Sequence, residues 1–475
     1  MKNAVRTYNW TYLISISLIS AMGGLLFGYD WVVIGGAKPF YEPFFGITDN
    51  VALQGWAMSC ALVGCLAGAA LSGWFSDRFG RKRLLIMAAL LFVVASIGTG
   101  SAYSLTSFII FRITGGIGIG LASNLSPVYI AEITPAEFRG RFVSINQLTI
   151  VIGILAAQLI NWRIADPVPA GSTIEEIFLS WNGQTGWRWM FYACAFPAGL
   201  FFLLMWFVPE SPRWLARDEK NHRKVHALFT RMGGRDFADR ELTSVRKTLE
   251  SLTAKADYRL LREPGIKRLL IIGVILAVFQ QWCGINVIFN YAHEIFANAG
   301  YSVSDILFNI VITGSVNLVF TFVGMFTVDK FGRKALMLLG AGGLAAIYAV
   351  LGSMYFFNMQ GLPLLIMVVT AIACYAMSLA PVTWVVLSEI FPNRVRGIAM
   401  SIATFALWSA CFVLTYTFPL LNKMLKASGT FWLYGVICIL GFWFILRRLP
   451  ETKGKSLEEI EHELTGDKMI AGNYE

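Results

Sequence analysis

Long apolar runs alternate with short polar segments along almost the whole chain. Each run is close to the 20 residues that an α-helix needs to cross a bilayer. The pattern predicts twelve membrane-spanning helices, at about residues 11–36, 51–75, 84–101, 105–131, 141–164, 187–208, 267–297, 305–328, 335–357, 362–391, 398–421 and 429–449. We therefore expect an all-α, multi-pass membrane protein whose main surroundings are the lipid bilayer.

The composition supports a membrane protein and gives no sign of catalysis. Of 475 residues, 56% are hydrophobic and 14% are charged, and the mean hydropathy is +0.61, whereas soluble proteins carry about 25% charge. The seven cysteines all fall in predicted spans without metal-ligand spacing, and we interpret them as small apolar residues. The spans contain no nucleophile–base pair, so we expect neither an enzyme, a metal site nor a cofactor.

The distribution of positive charge predicts the orientation. The net charge is +10, and 33 of the 39 lysines and arginines fall on one side of the membrane if the N-terminus is cytoplasmic. This asymmetry follows the positive-inside rule, which here places both termini in the cytoplasm. The basicity is thus explained by topology, and we expect no nucleic-acid partner.

Three motifs occur twice in the same order. DRFGRKR at 77–83 returns as DKFGRKA at 329–335, EITPAEFRG at 132–140 as EIFPNRVRG at 389–397, and PESPR at 209–213 as PETKG at 450–454. The repeat predicts two six-span halves, residues 1–208 and 267–449, joined by a cytoplasmic linker with short helices at 209–266 and followed by a tail at 450–475. Such parallel halves are typical of transporters that bind substrate near the midplane between them.

The charged residues of the repeated motifs are candidates for gating. An acid at a helix end and an arginine in a nearby loop can pair across helices, but single surface ion pairs are weak, so a network is required. We favour a latch that closes the cytoplasmic ends in the outward-open state over substrate contact. Its members are Arg81, Glu132, Arg139, Glu210, Arg333, Glu389, Arg396 and Glu451.

Seven motifs together resemble the sugar porters of the major facilitator superfamily. They run in order from residue 77 to 456: DRFGRKR, EITPAEFRG, PESPRWL, QQWCGIN, DKFGRKA, SEIFPNRVRG and PETKGKS. The chain resembles bacterial xylose–proton symporters and, more distantly, animal glucose facilitators. The resemblance implies the major facilitator fold, a monosaccharide substrate and transport by alternating access.

One acid and one base lie deep within the predicted spans. Asp30 is about 9 Å below the outer end of the first span and Arg112 is about 10 Å below that of the fourth. A charge at this depth costs at least about 2.5–3.5 kcal/mol, so it is usually paired and functional. We favour a proton switch over a static ion pair: Arg112 keeps Asp30 ionised until the two separate. Proton symporters resembling this chain carry such a pair, whereas the facilitators have Asn at the position of Asp30.

Sugar hydroxyls need amide partners, and the sugar's C–H face needs a flat aromatic ring. The spans offer both, and the positions match the family's sugar-contacting ones. We treat interhelical contact as the alternative for each amide, and packing as the alternative for the tryptophans. The candidates are Phe27, Gln147, Gln280, Gln281, Asn286, Asn317, Trp384 and Trp408, with Gly284 and Pro381 predicted to break their helices beside the site.

Four positions depart from the family pattern. Ile154 and Leu407 replace glutamines of the xylose symporters, and Asn290 replaces a tyrosine. Cys194 replaces a glutamate that the resemblance links to proton coupling. The first three leave the identity of the sugar open, and the fourth leaves the exit route of the proton open.

The sequence therefore predicts proton-coupled import of a pentose or hexose by a protein that works as a monomer. A passive sugar uniporter, with Asp30–Arg112 structural, is the first alternative. A sugar sensor on the same scaffold is a weaker one because the tail after Glu451 is short. Short tails and loops favour a bacterial inner membrane.

Overall fold

A computed structural model describes residues 8–135, 137–169, 171–251, 258–391, 395–451 and 453, and the regular elements within them are helical. The first half contains α1 (Trp10–Phe45), α2 (Val51–Phe79), α3 (Arg81–Gly100), α4 (Leu105–Ile133), α5 (Arg139–Ile164), α6 (Ile174–Leu179), a π-helical turn (Asn182–Gly186) and α7 (Trp187–Met205). The linker contains α8 (Pro212–Leu215), a 3-10 turn (Glu219–Asn221), α9 (His222–Gly233), α10 (Arg235–Ser251) and a 3-10 turn (Tyr258–Arg262). The second half contains α11 (Pro264–Trp282), α12 (Ile285–Asn290), α13 (Ala292–Asn298), α14 (Val303–Phe331), α15 (Arg333–Phe356), α16 (Leu362–Met377), α17 (Leu379–Ile390) and α18 (Arg396–Arg448).

The twelve predicted spans are present, although the last two form one continuous element. In the described part of the chain, eleven helical segments are long and apolar enough to cross a membrane. The eleventh, α18, has 53 residues, or about 80 Å if straight, against a hydrocarbon core of about 30 Å. Lys426 interrupts it with φ 58° and ψ 175°, so two helices meet there. The twelve-helix architecture is thus confirmed.

The first helix is longer than its apolar run indicated. We predicted an end near Gly36, yet α1 continues through Pro39 and Pro43 to Phe45 and ends at Gly46, whose φ is 63°. Its last three turns bury Lys38 and Glu42 together with aromatic residues. Charged residues ended the run in the sequence pattern, but they do not end the helix because they are paired inside the protein.

Two spans break near the middle of the second half, as Gly284 and Pro381 predicted. In the seventh span, α11 ends at Trp282 and α12 begins after Gly284, whose φ of 87° suits glycine. In the tenth span, α16 ends at Met377 and α17 begins after Ser378. Pro381 has no N–H to donate to the preceding turn, which favours the break. Irregular backbone at this depth is tolerated where it is enclosed by protein or lines a cavity.

Close helix packing explains the glycine-rich segment of α4. A Cβ on Gly116 would lie 1.9 Å from the carbonyl oxygen of Ala61 on α2, a distance that no side chain tolerates. Small residues let helix backbones approach in this way inside membranes. α2 and α4 are thereby held together, and α4 carries Arg112.

Candidate functional site

The two deep charges form a buried ion pair. Asp30 on α1 and Arg112 on α4 are 5% and 3% exposed, and Arg112 Nη1 donates to Asp30 Oδ1 at 2.8 Å. The second carboxylate oxygen, Oδ2, and Arg112 Nε are buried without a hydrogen-bond partner among the described residues. The pair is therefore neutral as a whole but incompletely hydrogen-bonded, and losing either partner would leave a buried charge.

The helix α7 packs against this ion pair. Arg112 Cζ lies 5.8 Å from the centre of the Phe191 ring, close enough for a cation–π contact. Cys194, one turn further along α7, is 1% exposed. The side chain at this position of α7 is therefore a buried thiol and not a carboxylate.

An aromatic cluster joins α1 to the second half of the molecule. Phe27 and Trp31 on α1 have ring centres 6.0 Å apart, and each ring also contacts Trp408 on α18, at 5.7 Å and 6.0 Å. Phe27 lies one turn before Asp30 on the same helix. These ring contacts thus link the helix that carries Asp30 to a candidate sugar residue of the second half.

The amides of the seventh span form a connected row of hydrogen bonds. Asn286 Nδ2 donates to Gln281 Oε1, Gln281 Nε2 donates to Gln280 Oε1 at 2.5 Å, and Gln280 Nε2 donates to the Tyr375 hydroxyl at 2.6 Å. Asn286 Nδ2 also approaches Cys411 Sγ at 3.8 Å, one turn after Trp408 on α18. Five of the eight candidate sugar residues, Phe27, Gln280, Gln281, Asn286 and Trp408, therefore lie in two adjoining clusters.

The other three candidates occupy separate helices. Gln147 is half-buried on α5, Asn317 is buried on α14, and Trp384 is 37% exposed on α17. Within the described residues, the hydrogen bonds and ring contacts do not connect these three with the clusters. Their role in sugar binding stays a prediction.

The positions that depart from the family pattern are all buried. Ile154 and Leu407 are 9% and 3% exposed, and Asn290 is 4% exposed. Asn290 Oδ1 has no hydrogen-bond partner among the described residues. Leu407 precedes Trp408 and adds an apolar side chain at the position where the resemblance implied glutamine.

The charged residues of the first-half motifs form one network. Arg81 Nη2 contacts Glu132 Oε1 at 3.0 Å, and Glu132 Oε2 accepts from the Ser211 hydroxyl at 2.5 Å. Glu210 Oε1 accepts from the backbone N–H groups of Arg81, Lys82 and Ser211, at 2.9, 3.1 and 2.8 Å. Glu210 therefore caps the N-terminus of α3, which has no cap of its own at Gly80.

The second half repeats this arrangement. Arg333 Nη2 contacts Glu389 at 3.1 Å, and Glu451 accepts from the backbone N–H groups of Arg333 and Lys334 at 2.9 and 3.1 Å. These ion pairs each join residues of one half. We call the end of the molecule that contains them the basic end.

The remaining two gating candidates bind backbone carbonyl groups next to the same networks. Arg139 Nε donates to Ala131 and Arg396 Nε to Phe391, both at 3.1 Å. All eight gating candidates thus lie at the basic end, and a latch between the halves in another conformation stays a prediction.

Sequence reasoning missed an ionic contact between the halves at the opposite end. Lys38 on α1 contacts Glu42 on the same helix at 3.0 Å and also contacts Glu294 on α13. Lys38 and Glu42 are 3% and 6% exposed. We call these three residues the ionic cluster. Lys38 and Glu294 are 256 residues apart. The sequences GYD at 28–30 and GIN at 284–286 are also separated by 256 residues, so Lys38 and Glu294 occupy equivalent positions of the internal repeat. That equivalence was the signal in the sequence for this contact.

Further contacts between the halves accompany the ionic cluster. Val168 N donates to Ser304 Oγ at 2.9 Å, and the rings of Trp162 and Phe308 have centres 5.7 Å apart. A Cβ on Gly55 would lie 2.4 Å from the carbonyl oxygen of Tyr416. The halves are therefore closely packed at the end opposite the basic end.

Comparison with known sequences gives one consistent result. Residues 16–464 match a family model described as sugar (and other) transporter. The D-xylose–proton symporter of Escherichia coli strain K12 is 38% identical, with 96% of each chain covered. The arabinose–proton symporter of Bacillus subtilis strain 168 is 37% identical, again with 96% of each chain covered.

Solved structures extend the likeness to the fold. The inward-open conformation of the xylose transporter XylE from E. coli matches with a TM-score of 0.83 and 36% identity, covering 95% of this chain and 100% of that one. The XylE structure bound to 6-bromo-6-deoxy-D-glucose has a TM-score of 0.77 and 37% identity, covering 96% of this chain and 100% of that one.

Proposed function

Since the chain belongs to the sugar transporter family of the major facilitator superfamily, we propose that it imports a monosaccharide together with protons. It is a multi-pass membrane transporter and not an enzyme. The observation that carries the proposal is the buried Asp30–Arg112 pair one helical turn from an aromatic cluster, which in turn adjoins the row of amides. One feature can carry a proton and the other can bind a polyhydroxylated ring.

We assign the basic end to the cytoplasm, because the positive-inside rule places the segments rich in lysine and arginine there. Both termini are then cytoplasmic and the ionic cluster faces outward. With the halves packed together at the outer end, the conformation is inward-facing, in agreement with the higher TM-score to the inward-open XylE structure. The bacterial relatives favour a bacterial inner membrane.

We assign the proton to Asp30. A buried carboxylate is stable as an anion only while a cation compensates it. Asp30 and Arg112 belong to the same half, so rocking of the halves as rigid bodies leaves their contact intact. Release of the pair therefore requires movement of α1 relative to α4 within the first half. Once Arg112 has moved away, Asp30 binds a proton, and the neutral carboxyl group permits the return of the carrier.

We assign the sugar to the cluster around Asn286 and Trp408. The amides supply donors and acceptors for hydroxyl groups, and the ring of Trp408 supplies a flat apolar face. Trp408 contacts Phe27, so a sugar held here bears directly on α1 and hence on Asp30. The names of the relatives favour a pentose, D-xylose or arabinose, as the first substrates to test.

The alternative is a passive sugar carrier with Asp30–Arg112 as a structural pair. The location of both residues in one half favours it, because such a pair could hold α1 against α4 throughout the cycle. The two functions differ in one respect: only the symporter accumulates sugar against a concentration gradient when protons flow inward.

Uptake into proteoliposomes distinguishes them. Labelled xylose, arabinose, glucose and galactose are offered with and without an inward proton gradient, to the wild type and to Asp30→Asn. For the symporter, the wild type accumulates one sugar only with the gradient, and Asp30→Asn keeps counterflow but loses accumulation. If the wild type merely equilibrates the sugar under both conditions, the passive carrier is correct. If no sugar moves, the proposed substrate class is wrong.

A further inference from the structure

The row of hydrogen bonds along the seventh span ends at a tyrosine on another broken helix. Tyr375 lies on α16, three residues before the break at Ser378, and its hydroxyl accepts from Gln280 at 2.6 Å. The row therefore connects the seventh span to the tenth. The tenth span also carries Trp384, on α17 beyond the break.

The row is buried except at Asn286. Gln280 and Gln281 are 5% and 7% exposed and Tyr375 is 8% exposed, whereas Asn286 is half-buried. The row is thus anchored at a buried end and open at the other. A ligand in the cluster meets Asn286 first, and the orientation of Asn286 depends on the residues behind it.

The direction of the bonds is the same at each step. Every amide donates through its nitrogen to the oxygen of the next residue, from Asn286 to Gln281, then Gln280, then Tyr375. The described hydrogen bonds of Asn286 are made by its Nδ2, to Gln281 and Cys411, so its Oδ1 can accept from a ligand hydroxyl. Aligned hydrogen bonds polarise one another, so the terminal acceptor influences the whole row.

We propose that Tyr375 is a positioning residue that determines sugar selectivity, an inference that rests on the proposed function. Its hydroxyl oxygen holds the Gln280 amide in one orientation, and this orientation is passed through Gln281 to Asn286. The site then presents an acceptor to one hydroxyl of the sugar. A sugar that lacks this hydroxyl leaves Asn286 Oδ1 without a donor and binds more weakly.

A packing role for the Tyr375 ring is the competing explanation, and a single atom separates the two. Tyr375→Phe keeps the ring and removes the hydroxyl oxygen. The buried Gln280 Nε2 then loses its acceptor, so the amide can turn over and the row can reverse. Tyr434→Phe is the matched control. Tyr434 is 1% exposed, its ring lies beside Gly284, and its hydroxyl has no hydrogen-bond partner among the described residues.

The experiment measures equilibrium binding of D-xylose and its monodeoxy analogues to the purified full-length protein, together with KM and maximal rate in proteoliposomes. In the wild type, one analogue binds markedly more weakly than xylose. In Tyr375→Phe, we expect xylose affinity to fall about 3- to 10-fold and the discrimination against that analogue to shrink. KM rises and the maximal rate changes little. Tyr434→Phe leaves both affinity and discrimination unchanged.

Non-additivity gives a second readout. Gln280→Met alone interrupts the row, so adding Tyr375→Phe to it weakens xylose binding no further if the two residues act as a unit. Unchanged affinity and unchanged discrimination in Tyr375→Phe would overturn the positioning role while leaving the proposed function intact. A wild type that binds none of the monosaccharides would overturn the proposed function and this inference with it.

Discussion

Replacing Lys38 with methionine removes the ammonium group that joins the two halves at the end we assign to the outside. Lys38 is shared by two carboxylates, Glu42 on its own helix and Glu294 on the other half. In the inward-facing state of Lys38→Met, the carboxylates of Glu42 and Glu294 stay close together without a cation between them, which destabilises that state. In the outward-open state they separate and regain water. The substitution therefore shifts the equilibrium towards the outward-open state.

The size of the shift follows from the burial of the cluster. Removing one partner of a buried ion pair costs about 3–5 kcal/mol, and the Glu294 side chain is 23% exposed, so the lower value applies. At about 1.4 kcal/mol per factor of ten, about 3 kcal/mol changes the ratio of the two conformations by roughly 100-fold. A preference of less than about 100-fold for the inward-facing state is then reversed, and the protein becomes mainly outward-open. Its transport rate falls, because the return step becomes slow.

Spin labels at the outer end measure this directly. Tyr103→Cys and Phe357→Cys lie on exposed loops of the two halves, 83% and 73% exposed. Cys374→Ala completes the background, since the other six cysteines are buried. Double electron–electron resonance should show a short distance between the labels at positions 103 and 357 in this background. Adding Lys38→Met should move most molecules to a longer distance.

The control substitutions test the cause. Lys423→Met removes an exposed lysine at the same end and should leave the distances unchanged. Combining Lys38→Met with Glu42→Gln and Glu294→Gln removes the unpaired carboxylates and should restore the short distance. If Lys38→Met is folded and keeps the short distance, the ionic cluster does not hold the outer end closed.

Two further predictions concern stability. Glu210→Ala removes the acceptor for the first backbone N–H groups of α3, and by analogy with helix caps should cost about 1 kcal/mol. Thermal unfolding of the purified protein should then shift down by a few degrees, with Glu210→Gln in between; an unchanged melting temperature would show that water replaces the cap. Gly116→Ala forces α2 and α4 apart and should destabilise by about 1–3 kcal/mol or prevent folding, whereas Gly73→Ala, with open space around it, should be neutral or stabilising. Equal effects of the two alanines would contradict the packing argument.

Much of the fold was predictable because the bilayer imposes a simple pattern on sequence. Hydropathy located the spans, and Gly284 and Pro381 marked the two broken helices. The direction of the spans stays a prediction from the charge asymmetry. The predicted end of α1 was wrong, because the apolar run stops at Lys38 whereas the helix continues to Phe45. A charge signals the end of a span only when it is solvated, and here Glu42 and Glu294 replace the water.

The site was predictable where single residue types stand out against an apolar background. Asp30 and Arg112 were identified as the deep charges, and the structure places them in contact. Tyr375 gave no such signal, because a tyrosine in an apolar run is compatible with packing against lipid or protein. Its hydrogen bond to Gln280 depends on how the seventh and tenth spans meet, which is a property of the assembled second half. The ionic cluster was missed for the same reason, because Lys38 and Glu294 meet only in the assembled molecule.

The caps on α3 and α15 bear on how the protein is made. The acceptor for the N-terminus of α3 is Glu210, 129 residues later in the chain than Arg81, and that for α15 is Glu451, 118 residues after Arg333. A ribosome therefore delivers each of these helix starts long before its cap. The third span of each half therefore lacks its cap until the acidic residue that follows the sixth span of that half has been synthesised. Each half thus closes on itself once it is whole, so an N-terminal half could finish assembly while the second half is still being translated.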